Sequence, residues 1–289
     1  MTTNRSTWTV LNILNTTIEY FNKNSFEQPR LNAERLLAHV LNLDRVNMYL
    51  QFERILSPDE VDTYRGLVKR RSNHEPLQYI TGETEFMGLP MKVNPDVLIP
   101  RPETEVLVEN VLALKDELNN HQVHIWDIGT GSGSIGISLA HYWPECQVLA
   151  TDISESALEV AQNNAHLNEV NNIEFKKHDI LSEFHHWDHP IDIIISNPPY
   201  ISESEYLNLA KEIVDYEPSL ALTDTKDGLE FYRKILTLIE NVNGCKFIFL
   251  EMSGTQTKNI LSLANSDVLN TEVISDLNQI PRVLKISAG

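Results

Sequence analysis

The chain predicts an α/β fold, a mostly parallel sheet covered by helices on both faces and preceded by a small helical segment. Three observations carry this expectation. The first 75 residues place apolar side chains at helical spacing; from Val123 short apolar runs alternate with helical stretches; and a glycine-rich turn follows the first of those runs.

Each element follows in order. Val10, Leu11, Ile13, Leu14, Ile18 and Phe21 recur at helical spacing, as do Leu36, Leu37, Val40 and Leu41. Ser57-Pro58-Asp59-Glu60 reads as a helix start, with a capping residue, Pro at the first position and acids in the first turn. That helix is expected to reach about Ser72. Gly, Pro and β-formers between Phe86 and Val97 predict a hairpin, punctuated by Pro100 and Pro102, and Glu103 to Leu118 looks helical. Strands are then expected at Val123 to Asp127, Gln147 to Asp152, Ile173 to Phe175, Ile191 to Ser196 and Phe247 to Glu251. Helices are expected at Ser134 to Tyr142, Ser154 to Leu167 and Leu229 to Glu240. Weaker strand signals lie at Glu272 to Ile274 and Val283 to Ile286; their short connection predicts a hairpin, hence an antiparallel final strand.

Composition narrows the function. The 289 residues allow one large or two smaller domains, and 42% apolar content supplies a core. No run approaches the roughly 18 to 20 apolar residues that cross a bilayer. Met1 to Phe21 mixes Asn, Thr and Glu among its apolar residues, unlike a signal peptide. Cys146 and Cys245 stand in unrelated segments, which gives no disulfide framework and no thiolate metal site and fits a reducing cytoplasm. The net charge of −18 is uneven: residues 1–85 carry 10 basic and 11 acidic side chains, the remainder 13 and 30. So acidic a second part repels a phosphate backbone and argues against nucleic acid as the substrate.

Two loops carry the chemistry. Asp127-Ile128-Gly129-Thr130-Gly131-Ser132-Gly133 follows the first strand and opens a helix, where glycines permit a sharp turn and close approach of a ligand to the main chain. Residues 131–136 satisfy G-x-G-x-x-G literally, so a nicotinamide or flavin enzyme stays in view. Asp152, 23 residues after Gly129, suits ribose hydroxyls or a cap for the following helix. The second loop, Asn197-Pro198-Pro199-Tyr200, follows Ile193-Ile194-Ile195-Ser196. Prolines there continue neither ladder nor helix, which leaves the loop at the carboxyl edge where open α/β sheets bind ligands. The Asn197 side-chain oxygen and the Pro198 carbonyl are two acceptors for a planar NH₂ group, a device useful to an amino-group methyltransferase and useless for hydride transfer. A Pro-rich turn is the bland alternative. N6-methylation of adenine, with Tyr200 stacking a flipped base, and a non-catalytic binding module also remain open.

With those residues read, the chain resembles the bacterial release factor glutamine methyltransferases. The resemblance spans nearly the whole chain. It is carried by Glu75-Pro76-Leu77-Gln78-Tyr79-Ile80-Thr81-Gly82, Phe86-Met87-Gly88 and Val97-Leu98-Ile99-Pro100-Arg101-Pro102-Glu103-Thr104-Glu105, together with the two loops. Tyr216-Glu217-Pro218, Ala221-Leu222, Asp227-Gly228-Leu229-Glu230-Phe231-Tyr232, Leu250-Glu251 and Gln256 continue it. The resemblance implies a seven-stranded Rossmann-like class I methyltransferase sheet with a small N-terminal helical domain that seats the substrate. The expected boundaries are 1–75 for the helices, 76–102 for a hairpin linker and 103–289 for the methyltransferase domain. It implies S-adenosylmethionine as cofactor, held by Gly129, Thr130, Gly131, Ser132, Gly133, Asp152, Asp179, Ile180 and Asn197. Asn197 and Pro198 are the implied catalytic residues, and with Pro199 and Tyr200 they would line the glutamine slot. The implied substrate is the glutamine of the Gly-Gly-Gln motif in class I release factors, methylated at N5 by a cytoplasmic monomer that needs neither metal, nucleic acid nor membrane. Two stretches depart from the family pattern: Thr223-Asp224-Thr225, where glycine is frequent, and the late turn Gln279-Ile280-Pro281-Arg282.

Two further features are read as structural, and a third stays open. His185, His186 and His189 near Trp187 and Asp188 form a solvated connection rather than a metal site. Lys69-Arg70-Arg71 places positive charge at a helix C-terminus. Arg101 and Glu103 either brace a loop or orient a ligand.

Overall fold

The computed structural model describes residues 7–118, 121–182, 189–242, 244–264 and 269–288. The chain forms two compact units, Met1–Gly82 with Lys211–Tyr216, and Glu83–Ala210 with Glu217–Gly289.

The first unit is helical: α1 (Val10–Lys23), α2 (Pro29–Leu41), α3 (Arg45–Tyr49), α4 (Pro58–Ser72) and α5 (Leu77–Thr81). The start of α4 is a full capping box, with Ser57 accepting the Glu60 N–H and Glu60 reaching back to the Ser57 N–H. Leu14, Phe21, Leu36, Leu37, Met48 and Tyr64 form its core. The basic run at the end of α4 divides. Arg70 pairs with Glu75, whereas Arg71 turns inward, donating to Asn32 Oδ1 (2.7 Å) and the Glu75 carbonyl (2.8 Å) and pairing with Glu212 (3.0 Å). A buried guanidinium needs those partners to offset desolvation.

The second unit opens with a hairpin, β1 (Glu83–Phe86) and β2 (Leu89–Lys92), turning at Met87-Gly88. It thus begins three residues before the segment whose composition announced it, because Glu83 to Glu85 pair with Pro90 to Lys92 across the turn. A 3₁₀ turn (Pro102–Thr104) leads into α6 (Glu105–Leu112), which ends six residues early: Leu114 and Lys115 donate three residues back rather than four. There follow β3 (His124–Ile128), α7 (Ser134–Tyr142), β4 (Gln147–Asp152), α8 (Glu155–Leu167), β5 (Ile173–Lys177) and β6 (Ile193–Ser196). Next come α9 (Glu203–Tyr206), then α10 (Lys211–Val214) of the helical unit, α11 (Glu230–Leu236) and α12 (Leu238–Asn241). The helix expected over Leu229 to Glu240 is split at Thr237, whose hydroxyl donates to the Lys234 carbonyl (2.7 Å) and competes with the helical ladder. β7 (Phe247–Glu251), α13 (Thr257–Ala264), β8 (Leu269–Ser275) and β9 (Pro281–Ala288) complete the unit.

The seven strands lie in the order β5-β4-β3-β6-β7-β9-β8, parallel except for β9, which runs antiparallel to both neighbours. Period-two alternation divides each strand between two cores. Ile125, Ile193 and Ile195 pack with Ile137 on one face, and Trp126, Ile194 and Ile248 with Tyr232 on the other. The order reverses between β3 and β6, so the loops after those strands share one edge of the sheet.

Among the described residues no helix is long and apolar enough to cross a membrane, and no three His, Cys, Asp or Glu side chains are grouped to hold a metal ion. His185, His186, Trp187 and Asp188 lie outside the described residues; the His189 ring stacks on that of His124.

Candidate active site

A cavity of about 290 Å³ opens at that switch point. Its walls come from the loop after β3, the ends of β4 and β5, the loop after β6, and the segment between β2 and α6.

The glycine loop owes its shape to backbone geometry. Gly129, Gly131 and Gly133 have φ of 71°, 53° and 83°. Gly133 caps α7, and a Cβ there would lie 2.6 Å from Ile137 Cδ1 and 3.0 Å from Ala161 Cβ. Asp127 fixes the turn from beneath: Oδ2 accepts the Thr130 hydroxyl (2.6 Å) and the Gly136 N–H (3.0 Å), while Oδ1 has no hydrogen-bond partner among the described residues. Full burial pushes this carboxyl up to about 7, against the opposing hydrogen bonds. Asn164 of α8 braces the loop too, donating to the carbonyls of Ser132 and Lys92 (2.9 Å each) and accepting the Lys92 N–H (2.6 Å).

Gly129, Thr130, Gly131, Ser132, Asp152, Asp179, Ile180, Asn197, Pro198 and Pro199 all line the cavity. Gly133 and Tyr200 do not: Gly133 sits behind the loop against Ala161, and half-buried Tyr200 packs with the Trp126 and Tyr232 core. Burial raises the Tyr200 hydroxyl to about 12. Asp152 is not itself the cap of α8. It faces the cavity, and it accepts the N–H groups of Gly131 and Ser154 (2.9 Å each), while Ser154 is itself the α8 cap. Its carboxyl is raised by burial against those bonds. Asp179 closes a turn by accepting the Leu181 N–H (2.9 Å).

Asn197 directly follows β6, next to buried Ser196, whose hydroxyl donates to the Ile128 carbonyl (2.7 Å) and ties the two loops together. The Asn197 Nδ2 donates to Thr104 Oγ1 (3.3 Å). The Tyr200 carbonyl accepts from Gln256 Nε2 (2.9 Å), and the Ile201 N–H donates to Leu222 (3.0 Å), which pins the loop downstream. The segment 96–104 supplies walls that composition alone did not assign a role: Asp96, Val97, Leu98, Pro100, Arg101 and Thr104. Arg101 forms an ion pair with buried Glu217. From Val97 to Thr104 the sequence signal was the run of motif residues, with Arg101 alone of these walls weighed for a role, since an irregular segment has no period to read.

A seven-stranded sheet with glycine and Asn-Pro-Pro loops facing one cavity at its switch point defines a class I methyltransferase, an enzyme that draws its methyl group from S-adenosylmethionine. Family comparison agrees. Residues 12–82 match the model described as the PrmC N-terminal domain, and residues 103–222 match the methyltransferase small domain. The release factor glutamine methyltransferase of Chlorobaculum tepidum is 38% identical over 289 residues, covering 97% of this chain and 98% of that relative. That of Geobacter sulfurreducens is 38% identical over 288 residues, with 98% of each chain covered. Among solved structures, the hMettl16 catalytic domain, crystallised in complex with a 3′UTR hairpin, shares the fold at a TM-score of 0.52. It is 17% identical, with 81% of this chain and 84% of that one covered. The chain belongs to the release factor glutamine methyltransferase family.

The late departures from the family pattern have a backbone correlate. Thr225 (φ 59°) and Gln279 (φ 63°) both adopt the left-handed conformation that favours glycine. Asp224 holds the first of these turns by accepting N–H groups from Lys226, Gly228 and Glu230.

Proposed function

We propose that this enzyme methylates N5 of the glutamine in the Gly-Gly-Gln motif of class I release factors, in the cytoplasm, with the helical unit helping to seat the protein substrate. One observation carries the reading: Asn197, Pro198 and Pro199 line the same cavity as the glycine loop, Asp152, Asp179 and Ile180.

The cavity's walls suit the cofactor. Asp152 offers a carboxylate for the ribose hydroxyls, Ile180 and Ile153 offer apolar faces for the adenine, and Asp179 stands beside them as acceptor for its amino group. When bound, S-adenosylmethionine supplies a sulfonium-activated methyl. The protein's task is then to deliver a nitrogen lone pair, and a carboxamide resists, because that pair is delocalised into the carbonyl. With Asn197 Oδ1 and the Pro198 carbonyl each accepting one N–H, the nitrogen is held in place and encouraged to pyramidalise. The same two dipoles stabilise the positive charge that develops on it. The alkylated nitrogen is acidic enough to lose its extra proton to water without a strong base. Pro198 has no N–H of its own to compete for the site.

The test is mass spectrometry of tryptic release-factor peptides after incubation with the enzyme and labelled cofactor. A gain of one CH₂ on the Gly-Gly-Gln glutamine is expected. Label in RNA or DNA with none in the release factor would replace this reading with adenine methylation.

A further inference from the structure

The Asn-Pro-Pro-Tyr loop runs between two fixed points. Upstream it leaves β6 at Ser196, and downstream the Ile201 N–H donates to the Leu222 carbonyl (3.0 Å). In between, Pro198 and Pro199 carry no N–H, so the loop has few donors of its own with which to hold its shape. Yet the proposed reaction needs the Pro198 carbonyl aimed at one place, since a hydrogen bond weakens steeply once it is bent.

The added constraint comes from the neighbouring strand. β7 lies parallel to β6, so the loop that follows it emerges at the same edge of the sheet and brings Gln256 beside Tyr200, 56 positions earlier. Gln256 Nε2 donates to the Tyr200 carbonyl (2.9 Å), the one hydrogen bond on the main chain of residues 198–200 among the described residues. A carbonyl oxygen only accepts, so this contact settles which end of the Gln256 amide faces the loop. A longer contact to Glu205 Oε2 (3.4 Å) sets a further acceptor at the same end. Gln256 is the firmer partner. It is 8% exposed, its N–H donates to the Ser253 carbonyl (3.2 Å), and its own carbonyl accepts from Asn259 (2.9 Å) and from fully buried Ile260 (3.1 Å) in α13. Gly228 leaves room for the contact: a Cβ there would lie 2.3 Å from the Tyr200 oxygen and 2.9 Å from Gln256 Nε2.

We infer that Gln256 is a positioning residue: it holds the Tyr200 carbonyl and so sets where the stiff Pro-Pro segment aims the Pro198 carbonyl. This deepens the proposed reaction and rests on it for the kinetic arm of the test; the second arm needs no substrate.

Gln256→Met keeps the length and removes the donor. It is expected to lower kcat about 10- to 100-fold, with KM for the release factor and Kd for the cofactor within about 3-fold. Gln256→Glu keeps the shape and makes the donor depend on pH: a carboxylate has no proton to give the Tyr200 carbonyl, whereas a carboxylic acid donates. Burial and the facing Glu205 raise such a carboxyl, so the kcat of Gln256→Glu relative to wild type should climb between about pH 8.5 and about pH 6. In ligand-free protein the Ile201 amide, on the same peptide as the Tyr200 carbonyl, should exchange with deuterium about 10-fold faster or more in Gln256→Met. Wild-type kcat or wild-type Ile201 exchange in folded Gln256→Met, or a Gln256→Glu ratio that ignores pH, would overturn the inference. If Gln256→Met does not fold, the isosteric Gln256→Glu takes its place at high pH, and wild-type kcat and exchange there would equally overturn it. Should the wild-type protein leave release factors unmethylated, the proposed function falls and the Ile201 exchange still decides whether Gln256 holds the loop.

Discussion

Gly228→Ala should impair the enzyme from outside its cavity. Gly228 precedes α11 with φ of 76°, and a Cβ built there lies 2.3 Å from the Tyr200 carbonyl oxygen and 2.9 Å from Gln256 Nε2. Side-chain Cβ atoms essentially never come within 3.0 Å of such a neighbour, so something must move by at least about 0.7 Å. The Gly228 side is held, because its N–H donates to buried Asp224 (2.9 Å) and Leu229 beyond it is buried in the core. The Tyr200 peptide therefore yields, and with it the loop whose Asn197 and Pro198 face the cavity three and two residues upstream. A displacement of about 1 Å in a reacting geometry costs on the order of 100-fold in rate. Left-handed strain at alanine costs about 1–2 kcal/mol, offset by about 0.4–1 kcal/mol from the stiffer unfolded chain. Steric crowding adds to the net loss. The assay is single-turnover methyl transfer from labelled cofactor, with thermal melts alongside. Gly66→Ala is the control, a mid-helix position with nothing within 4 Å of the new methyl, where activity should hold and stability rise by about 1 kcal/mol. A folded Gly228→Ala enzyme turning over within about 3-fold of wild type would refute the reasoning.

Three other outcomes are expected. Asn197→Ala should abolish methyl transfer with the melting curve nearly unchanged, because the side chain is only half-buried; near-normal turnover on purified release factor would remove it from the mechanism. Asp152→Ala should weaken cofactor binding by roughly 1.5–3 kcal/mol by calorimetry, part of it through the lost bonds to Gly131 and Ser154. Burial raises Asp127 and Glu251 to about 7, above their unfolded values, so the folded state binds more protons and the stability they contribute is full below about pH 4 and lost as pH rises through 7. Urea unfolding should therefore show wild type losing stability between about pH 4 and pH 7 and levelling off above it, with Asp127→Asn flattening the slope.

Local pattern made much of this legible. The Ser57 capping box, the strands at Gln147 to Asp152 and Phe247 to Glu251, and the antiparallel last strand each rest on signals confined to a few neighbours. The misreadings are where tertiary partners override such signals. Arg71 suits an exposed helix end by sequence, yet Asn32 and Glu212 give it enough partners to be buried. Leu229 to Glu240 keeps helical spacing, yet one hydroxyl, that of Thr237, breaks it in two.

By itself the sequence determined which segments are strands, which are buried on both faces, and which two loops could hold a cofactor and a planar NH₂ group. Apolar periodicity records that a residue is covered and on which side, but not by what. Strand order was a tertiary decision: it sets β3 beside β6, so that residues 129–132 meet 197–199 at one cavity. So was the contact of Asn197 with Thr104, 93 positions away in the chain. Contacts across such separations are chosen by packing, and no spacing in a sequence encodes that.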